Sequence, residues 1–246
     1  MPSNEYMASG PASEAVTIIR PDVSMVGKVP IIYAHGFSLA NPIPLYIQNR
    51  NQFDFLEAMA RFTGSPVLVP YLGGLATWGN DTQHTRFGTA ITWAGTNLGT
   101  RTDKAFVCGE SMGTLITNWI WRNPSLFCGA YLLDPIMALE AFRVRNSATF
   151  TSSIYAAYTN QAGYEAALPT HDPSAAANKA VLASFHDRIR LDYMESDEYI
   201  PPAEVEAYAA SIGCWSQSYP GNHAAGFDIN HEDAVAWVRR TIRMYS

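Results

Sequence analysis

Two hydrophobic periodicities alternate along the chain. Short runs of consecutive apolar, often β-branched residues read as strands covered on both faces, and they are separated by stretches whose apolar positions fall three and four apart, as on one side of a helix. AVTIIRP (Ala15–Pro21) and VPIIYAH (Val29–His35) are the first two runs. Phe53, Leu56, Met59, Ala60 and Thr63 then mark a helix that stops at Gly64-Ser65-Pro66, and PVLVPYL returns to strand. The same alternation continues through a helix on Phe87, Ala90, Ile91 and Ala94, the run AFVC (Ala105–Cys108), and a helix on Leu115, Ile116, Trp119 and Ile120 that ends near Asn123-Pro124. GAYLLDP (Gly129–Pro135), RIRLDYM (Arg188–Met194) and GCWSQSY (Gly213–Tyr219) read as further strands. A helix through Val205, Tyr208, Ala209 and Ile212 precedes the last of them. A closing helix carries Ala234, Val235, Val238 and Ile242, and Asn230 followed by Asp233 has the spacing of a reciprocal N-terminal cap.

Strands alternating with helices predict the α/β class, with a mostly parallel central sheet and helices on both of its faces. Two stretches depart from the rhythm. Residues 1–13, rich in Ser, Ala, Gly and Pro, read as a loose arm. Residues 136–185, rich in Ala, Tyr, Thr and Ser, contain helical fragments without a strand signal and are long for a plain connection. They are expected to form a helical cap inserted over the sheet edge of a single domain spanning residues 14–246.

A chain of 246 residues is about the size of one such domain and long enough to bury a large core. Its 16 Lys and Arg against 22 Asp and Glu give a net charge of −6, which leaves no basic footprint for nucleic acid. The opening MPSNEYMASGPASEAV lacks a basic start and an apolar run, and no later segment approaches the roughly 20 apolar residues of a membrane span. A soluble cytoplasmic protein is therefore expected. Cys108, Cys128 and Cys214 have neither CxxC spacing nor neighbouring histidines, so they read as small hydrophobes rather than as a metal site or a disulfide framework. Nothing else in the sequence calls for a metal or organic cofactor.

Chemistry enters at Gly109-Glu110-Ser111-Met112-Gly113. A bare GxSxG match is weak, and by itself it reads equally as a glycine-bounded turn carrying a surface serine. Here it lies between a predicted strand and a predicted helix, the context in which this motif becomes a strained turn that lifts the serine hydroxyl above the sheet. Side chains at either glycine would collide with neighbouring backbone, and the following helix points N–H groups toward developing negative charge. Ser111 is thus the candidate nucleophile, and it needs a base, for which the six histidines compete.

From about Val16 to the C-terminus the chain resembles the α/β-hydrolase superfamily, its esterases and lipases in particular. The matching pieces are the strand ending in His35-Gly36-Phe37, the GESMG turn, the strand ending in LLDP, the segment MESDEYIPP, and PGNH in the last loop. That resemblance implies the chain order serine, acid, histidine, which leaves His171, His186, His223 and His231. It places the base at His223, in the loop after the last strand. His231, beside acidic residues, reads as a solvated helix-start residue, and His35 as a turn residue whose ring is satisfied by nearby backbone. The resemblance also implies Asp197 as the acid, three residues ahead of Ile200-Pro201, with Asp134 as the alternative and Glu195 and Glu198 as solvated loop residues. It implies oxyanion donors at the backbone N–H groups of Met112 and Phe37.

Aromatic residues make up 12% of the chain, and Phe37, Leu39, Met112, Tyr71 to Trp78, Phe150, Tyr155 and Tyr158 are candidate pocket walls. The expected partner is a small-molecule or lipid-like ester with a hydrophobic part. Amidase, thioesterase or perhydrolase chemistry on the same scaffold, and a catalytically silent binding module, stay open at this level.

Overall fold

The computed structural model describes residues 3–6, 15–37, 50–74, 76–223 and 232–246. Among the described residues, eight strands form one sheet: β1 (Ser3–Tyr6), β2 (Ala15–Ile19), β3 (Ile31–Ala34), β4 (Val67–Pro70), β5 (Ala105–Glu110), β6 (Phe127–Leu133), β7 (Ile189–Met194) and β8 (Trp215–Tyr219), in the spatial order β1-β2-β4-β3-β5-β6-β7-β8. β2 runs antiparallel to β1 and to β4, and every other pairing is parallel. The α/β reading of the sequence holds. Inside the stretch expected to be a loose arm, Ser3–Tyr6 instead pairs with β2, from Ser3 opposite Ile18 to Tyr6 opposite Ala15.

The helices of the described residues are α1 (Arg50–Thr63), α2 (Asp81–Leu98), α3 (Thr117–Arg122), α4 (Leu139–Arg145), α5 (Ser147–Ala157), α6 (Gln161–His171), α7 (Ala176–Ala183), α8 (Pro202–Ile212) and α9 (Glu232–Tyr245). Their apolar stripes divide between two cores because successive side chains of a strand point to opposite faces. Ile31 and Tyr33 of β3 face α1 and α9, packing with Phe55, Leu56, Met59, Val235 and Val238. Ile32 and Ala34 face the other side and share a core with Phe87, Ile91 and Ala94 of α2 and with residues of α3 to α8. This is why VPIIYAH has no alternation: both faces of the central strand are covered.

Residues 139–183 are all-helical from α4 to α7 apart from short connections. Among the contacts that fasten these helices to the sheet side, two sets flank the crevice. Asn80 Nδ2 donates to the Ala157 carbonyl (2.9 Å), and the Tyr158 hydroxyl donates to the Trp78 carbonyl (2.7 Å). On the other flank, Arg145 Nη1 and Asn146 Nδ2 both donate to the Tyr199 carbonyl, at 3.2 and 3.1 Å.

Beneath β6 to β8 lies a buried ionic network that the apolar pattern of RIRLDYM does not announce. Arg190, 2% exposed, donates to both carboxylate oxygens of the fully buried Asp192 (2.7 and 2.9 Å), to the Tyr219 hydroxyl (2.8 Å) and to Asp233 Oδ2 (2.8 Å). The Tyr131 hydroxyl donates to Asp192 at 3.0 Å. Strands β6, β7 and β8 and the start of α9 are thereby joined through one guanidinium. The Asp233 carboxylate, expected to cap α9 with Asn230, is engaged with Arg190; Asn230 itself lies outside the described residues.

Replacing one member of such a network strands the others in low dielectric. Arg190→Met is expected to lower stability by about 3–5 kcal/mol in urea unfolding, because the buried Asp192 carboxylate loses its cation. A loss below about 1 kcal/mol would show that water reaches Asp192 and that the network does not hold the sheet edge.

Candidate active site

The strand order reverses at β3: the chain steps outward to β4 and then returns past it to β5. In an open parallel sheet this switch opens a crevice at the carboxyl ends of the strands. His35-Gly36-Phe37 leave β3 there and Ser111 leaves β5 beside them. Ser111 has φ +49°, a left-handed conformation that costs a non-glycine residue on the order of 1–3 kcal/mol. The turn closes only because its flanking residues are glycines. A Cβ on Gly113 would fall into the Ala34 and His35 carbonyls, and one on Gly109 would sit 2.9 Å from the Gly113 carbonyl oxygen. Thr114 secures the turn, donating to the Ser111 carbonyl (2.5 Å) and accepting from the Ile136 N–H (2.9 Å). Behind the serine the chain enters as a 3-10 helix, Ser111–Ile116, and becomes α-helical only in α3, a tighter start than the regular helix the sequence predicted.

Ser111, Asp197 and His223 are 112 and 26 residues apart in their two pairings, and the structure brings them together. His223 Nε2 lies 2.9 Å from Ser111 Oγ, and His223 Nδ1 lies 2.7 Å from Asp197 Oδ2. The other carboxylate oxygen, Asp197 Oδ1, accepts the N–H groups of Tyr199 and Ile200 at 2.8 and 2.9 Å, which sets the acid's direction. The two loops are braced against each other: the Glu195 N–H donates to the Tyr219 carbonyl, the Ser196 N–H to the Gly221 carbonyl, and the His223 N–H to Glu198 Oε2. Glu198, expected to be merely solvated, therefore helps hold the base's loop.

Burial works against the imidazolium form of His223. The Asp197 bond and the charges of Asp197, Asp134 and Glu110 outweigh it and hold the pKa above the ordinary histidine value. With Asp197 accepting at Nδ1, the neutral ring carries its proton there and turns a free lone pair at Nε2 toward the serine hydroxyl. Asp134, the alternative acid, is fully buried and spends Oδ1 on the Met194 N–H (3.1 Å). Among the described residues, Asp134, Asp197 and His223 are a set with metal-ligand atoms within 4.8 Å of one another. Their hydrogen bonds account for the grouping: Asp197 accepts from two N–H groups and holds the imidazole, and Asp134 accepts from Met194.

An aromatic roof covers this crevice. Phe37, Trp78, Phe142 and Phe150 have ring centroids 5.4–5.6 Å apart in a continuous cluster. Phe150 reaches Tyr199 (5.6 Å), whose ring meets that of His223 edge-on at 5.2 Å.

No family model matches the sequence, and no curated protein does. Solved structures do match. Esterase B from Lactobacillus rhamnosis superposes with TM-score 0.67 at 11% identity, covering 100% of this chain and 86% of that one. Carboxyl esterase 2 from the mycorrhizal fungus Tuber melanosporum gives 0.66 at 14% identity, covering 100% and 87%. An S-formylglutathione hydrolase from Agrobacterium tumefaciens gives 0.62 at 12% identity, covering 98% and 94%. The chain has the α/β-hydrolase fold. At these identities the likeness is one of architecture.

The HGF loop lies directly against the serine: a Cβ on Gly36 would be 3.4 Å from Ser111 Cβ. Met112 is fully buried behind it. His35 is buried, its Nδ1 2.8 Å from the Gly36 carbonyl, while its Nε2 is without a partner. His171 packs with Asp81 and Arg122, and His186 approaches the Ala183 carbonyl on the exposed side. His231, Leu39 and Leu75 lie outside the described residues. Of the candidate pocket walls, Phe37, Trp78 and Phe150 join the roof, whereas Tyr155 and Tyr158 pack on Tyr164. Phe142 and Tyr199 escaped sequence reasoning, since an aromatic residue at helical spacing or in a loop carries no mark of which cluster it will join. No helix of the described residues is long and apolar enough to cross a membrane.

Because three carboxylates face one imidazole, His223 is expected to titrate above about 6.5, with the charged form retained to higher pH than in a free histidine. Asp197→Asn should move that midpoint down. Histidine ring NMR across pH 5–9 measures both, and a wild-type midpoint at or below the free value would show that burial dominates.

Proposed function

We propose that this chain is a serine hydrolase of carboxylic esters, acting through Ser111, His223 and Asp197 and an acyl-enzyme intermediate. The reading rests on one observation above the others: an unbroken hydrogen-bond chain from Ser111 Oγ through both nitrogens of His223 to Asp197. It is supported by the esterases among the solved structures that share the fold.

Ser111 Oγ attacks the ester carbonyl carbon while its proton passes to His223 Nε2. Asp197 keeps the ring oriented and stabilises the imidazolium without taking its proton. The tetrahedral oxyanion is received by the backbone N–H groups of Met112 and Phe37, each contributing about 3 kcal/mol. Collapse expels the alcohol, protonated by His223, and leaves the acyl group on Ser111. Water then attacks the acyl-enzyme with His223 as base, and the acid is released.

The roof of Phe37, Trp78, Phe142 and Phe150, half of it supplied by the helical cap at residues 136–185, favours an ester with a hydrophobic part. A cavity of about 240 Å³ lined by Pro135, Ile136, Phe142, Ile200, Val205 and Tyr208 adjoins the acid loop and extends that apolar surface.

A panel of p-nitrophenyl esters of increasing acyl length tests both parts. Activity is expected to rise from acetate toward longer acyl chains, to fall by about 10⁴-fold or more in Ser111→Ala, and to fall by about 10³–10⁴-fold in Asp197→Asn through loss of the correct tautomer. A fluorophosphonate should label the wild type at Ser111. Absence of labelling would identify a silent module, equal activity at all lengths would refute the hydrophobic preference, and faster turnover of amides or thioesters would redirect the assignment.

A further inference from the structure

Glu110 is the residue before the nucleophile, and its side chain is not part of the relay. It is 8% exposed, at the end of a strand whose other residues are apolar or glycine. A carboxyl group in such a place is costly unless it is met by donors. Each partner the structure gives it is a donor. The Tyr33 hydroxyl of β3 donates to Glu110 Oε2 at 2.7 Å, and Gln52 Nε2 of α1 donates to the same oxygen at 2.9 Å. Gln52 also donates to the Tyr33 hydroxyl, so the Tyr33 proton is directed at Glu110 and the donor chain has one polarity. The carboxyl group also lies against the loop after β3: a Cβ on Gly36 would stand 3.5 Å from the Glu110 carboxyl carbon, and the Gly36 N–H favours its charged form. The side chain thus reaches the loop that carries Phe37.

We propose, on the hydrolase reading above, that Glu110 is a positioning residue: its buried carboxylate, packed against Gly36, braces the His35-Gly36-Phe37 loop, aims the Phe37 N–H over Ser111, and lends negative charge to the imidazolium of His223. Tyr33 and Gln52 hold the carboxylate in turn, which couples the oxyanion side of the site to β3 and α1. Nothing in transition-state chemistry requires a carboxylate here, but a backbone donor displaced by even a fraction of an ångström loses most of its value at an oxyanion.

The charge state follows from the surroundings. Burial prevails and holds the Glu110 pKa above the ordinary carboxylate value, while the Tyr33 bond, the His223 charge and the Gly36 N–H favour the carboxylate and offset part of that rise. Of the other titratable groups near it, Tyr33 and Cys108 are buried and held neutral. His35 is kept uncharged by burial. His223 faces Asp197, Asp134 and Glu110, and its own N–H rests on Glu198. Removing the Glu110 charge therefore takes one of three carboxylates from the imidazole's field and moves its titration to lower pH.

Glu110→Gln preserves volume and removes the charge. With active sites counted by fluorophosphonate titration, kcat per site is expected to fall about tenfold or more, KM to stay within about twofold, and the acidic limb of kcat/KM to move down by about 0.3–1 pH unit. A purely structural role would lower the unfolding midpoint and leave kcat per labelled site and the limb where they were, and that result overturns the proposal. Should Glu110→Gln fail to unfold cooperatively, Tyr33→Phe serves instead: kcat per site should fall about threefold with the limb in place, because the carboxylate keeps its charge. Full kcat in Tyr33→Phe overturns it equally. A wild type that neither labels nor cleaves esters removes the hydrolase reading and this inference together, whereas a labelled wild type with an unaltered Glu110→Gln removes this inference alone.

Discussion

The site depends on how closely three pieces of backbone approach one another at the carboxyl ends of β3 and β5. The Ser111 turn folds back so tightly that Gly113 meets the Ala34 and His35 carbonyls and Gly109 meets Gly113. That closeness exposes Ser111 Oγ to the base and sets the HGF loop against the serine. It also stores strain, visible in the left-handed backbone of Ser111 and again at Asp134, φ +45°, after the neighbouring strand. The parallel pairings of β5 with β3 and β6 over-determine both turns, so the strain persists in the folded state.

Around that point the polar groups are organised by face. Toward α1 and α9, Tyr33, Gln52 and Glu110 form one buried network and Arg190, Asp192, Tyr131 and Tyr219 another. The second extends to Asp233 and ties the strand before the His223 loop to the helix after it. Buried polar groups are expensive unless fully partnered. Here the partnering bears on function, since each network ends within a few residues of the relay.

The opposite face is apolar and aromatic. Trp78, Phe142 and Phe150 pack on Phe37, and the helices α4 to α7 are tied down at Trp78 and at Tyr199. Ser111, His223 and Asp197 are largely buried beside these rings, so low dielectric strengthens the Asp197–His223 bond, and on the proposed reading the rings offer an apolar bed for a substrate. Esterases with only 11–14% identity share this architecture, which fits a fold maintained by patterning and backbone geometry rather than by particular side chains.

Much of this was legible in the chain. The unbroken apolar runs at VPIIYAH, AFVC and GAYLLDP determined central strands, because a strand buried on both faces needs apolar residues at every position, and GESMG between strand and helix marked the turn. What the sequence left open was everything that depends on distant side chains meeting. Asp134 and Asp197 were both eligible acids; only the tertiary structure puts one of them 2.7 Å from His223 Nδ1. Ser3–Tyr6 gave no strand signal because an edge strand pairs through its backbone, and Arg190 and Glu110 looked like interruptions until their partners arrived from other strands and helices. Local pattern reports what each residue does along its own element, whereas a hydrogen bond across 112 residues is decided by where the sheet places the ends of its strands.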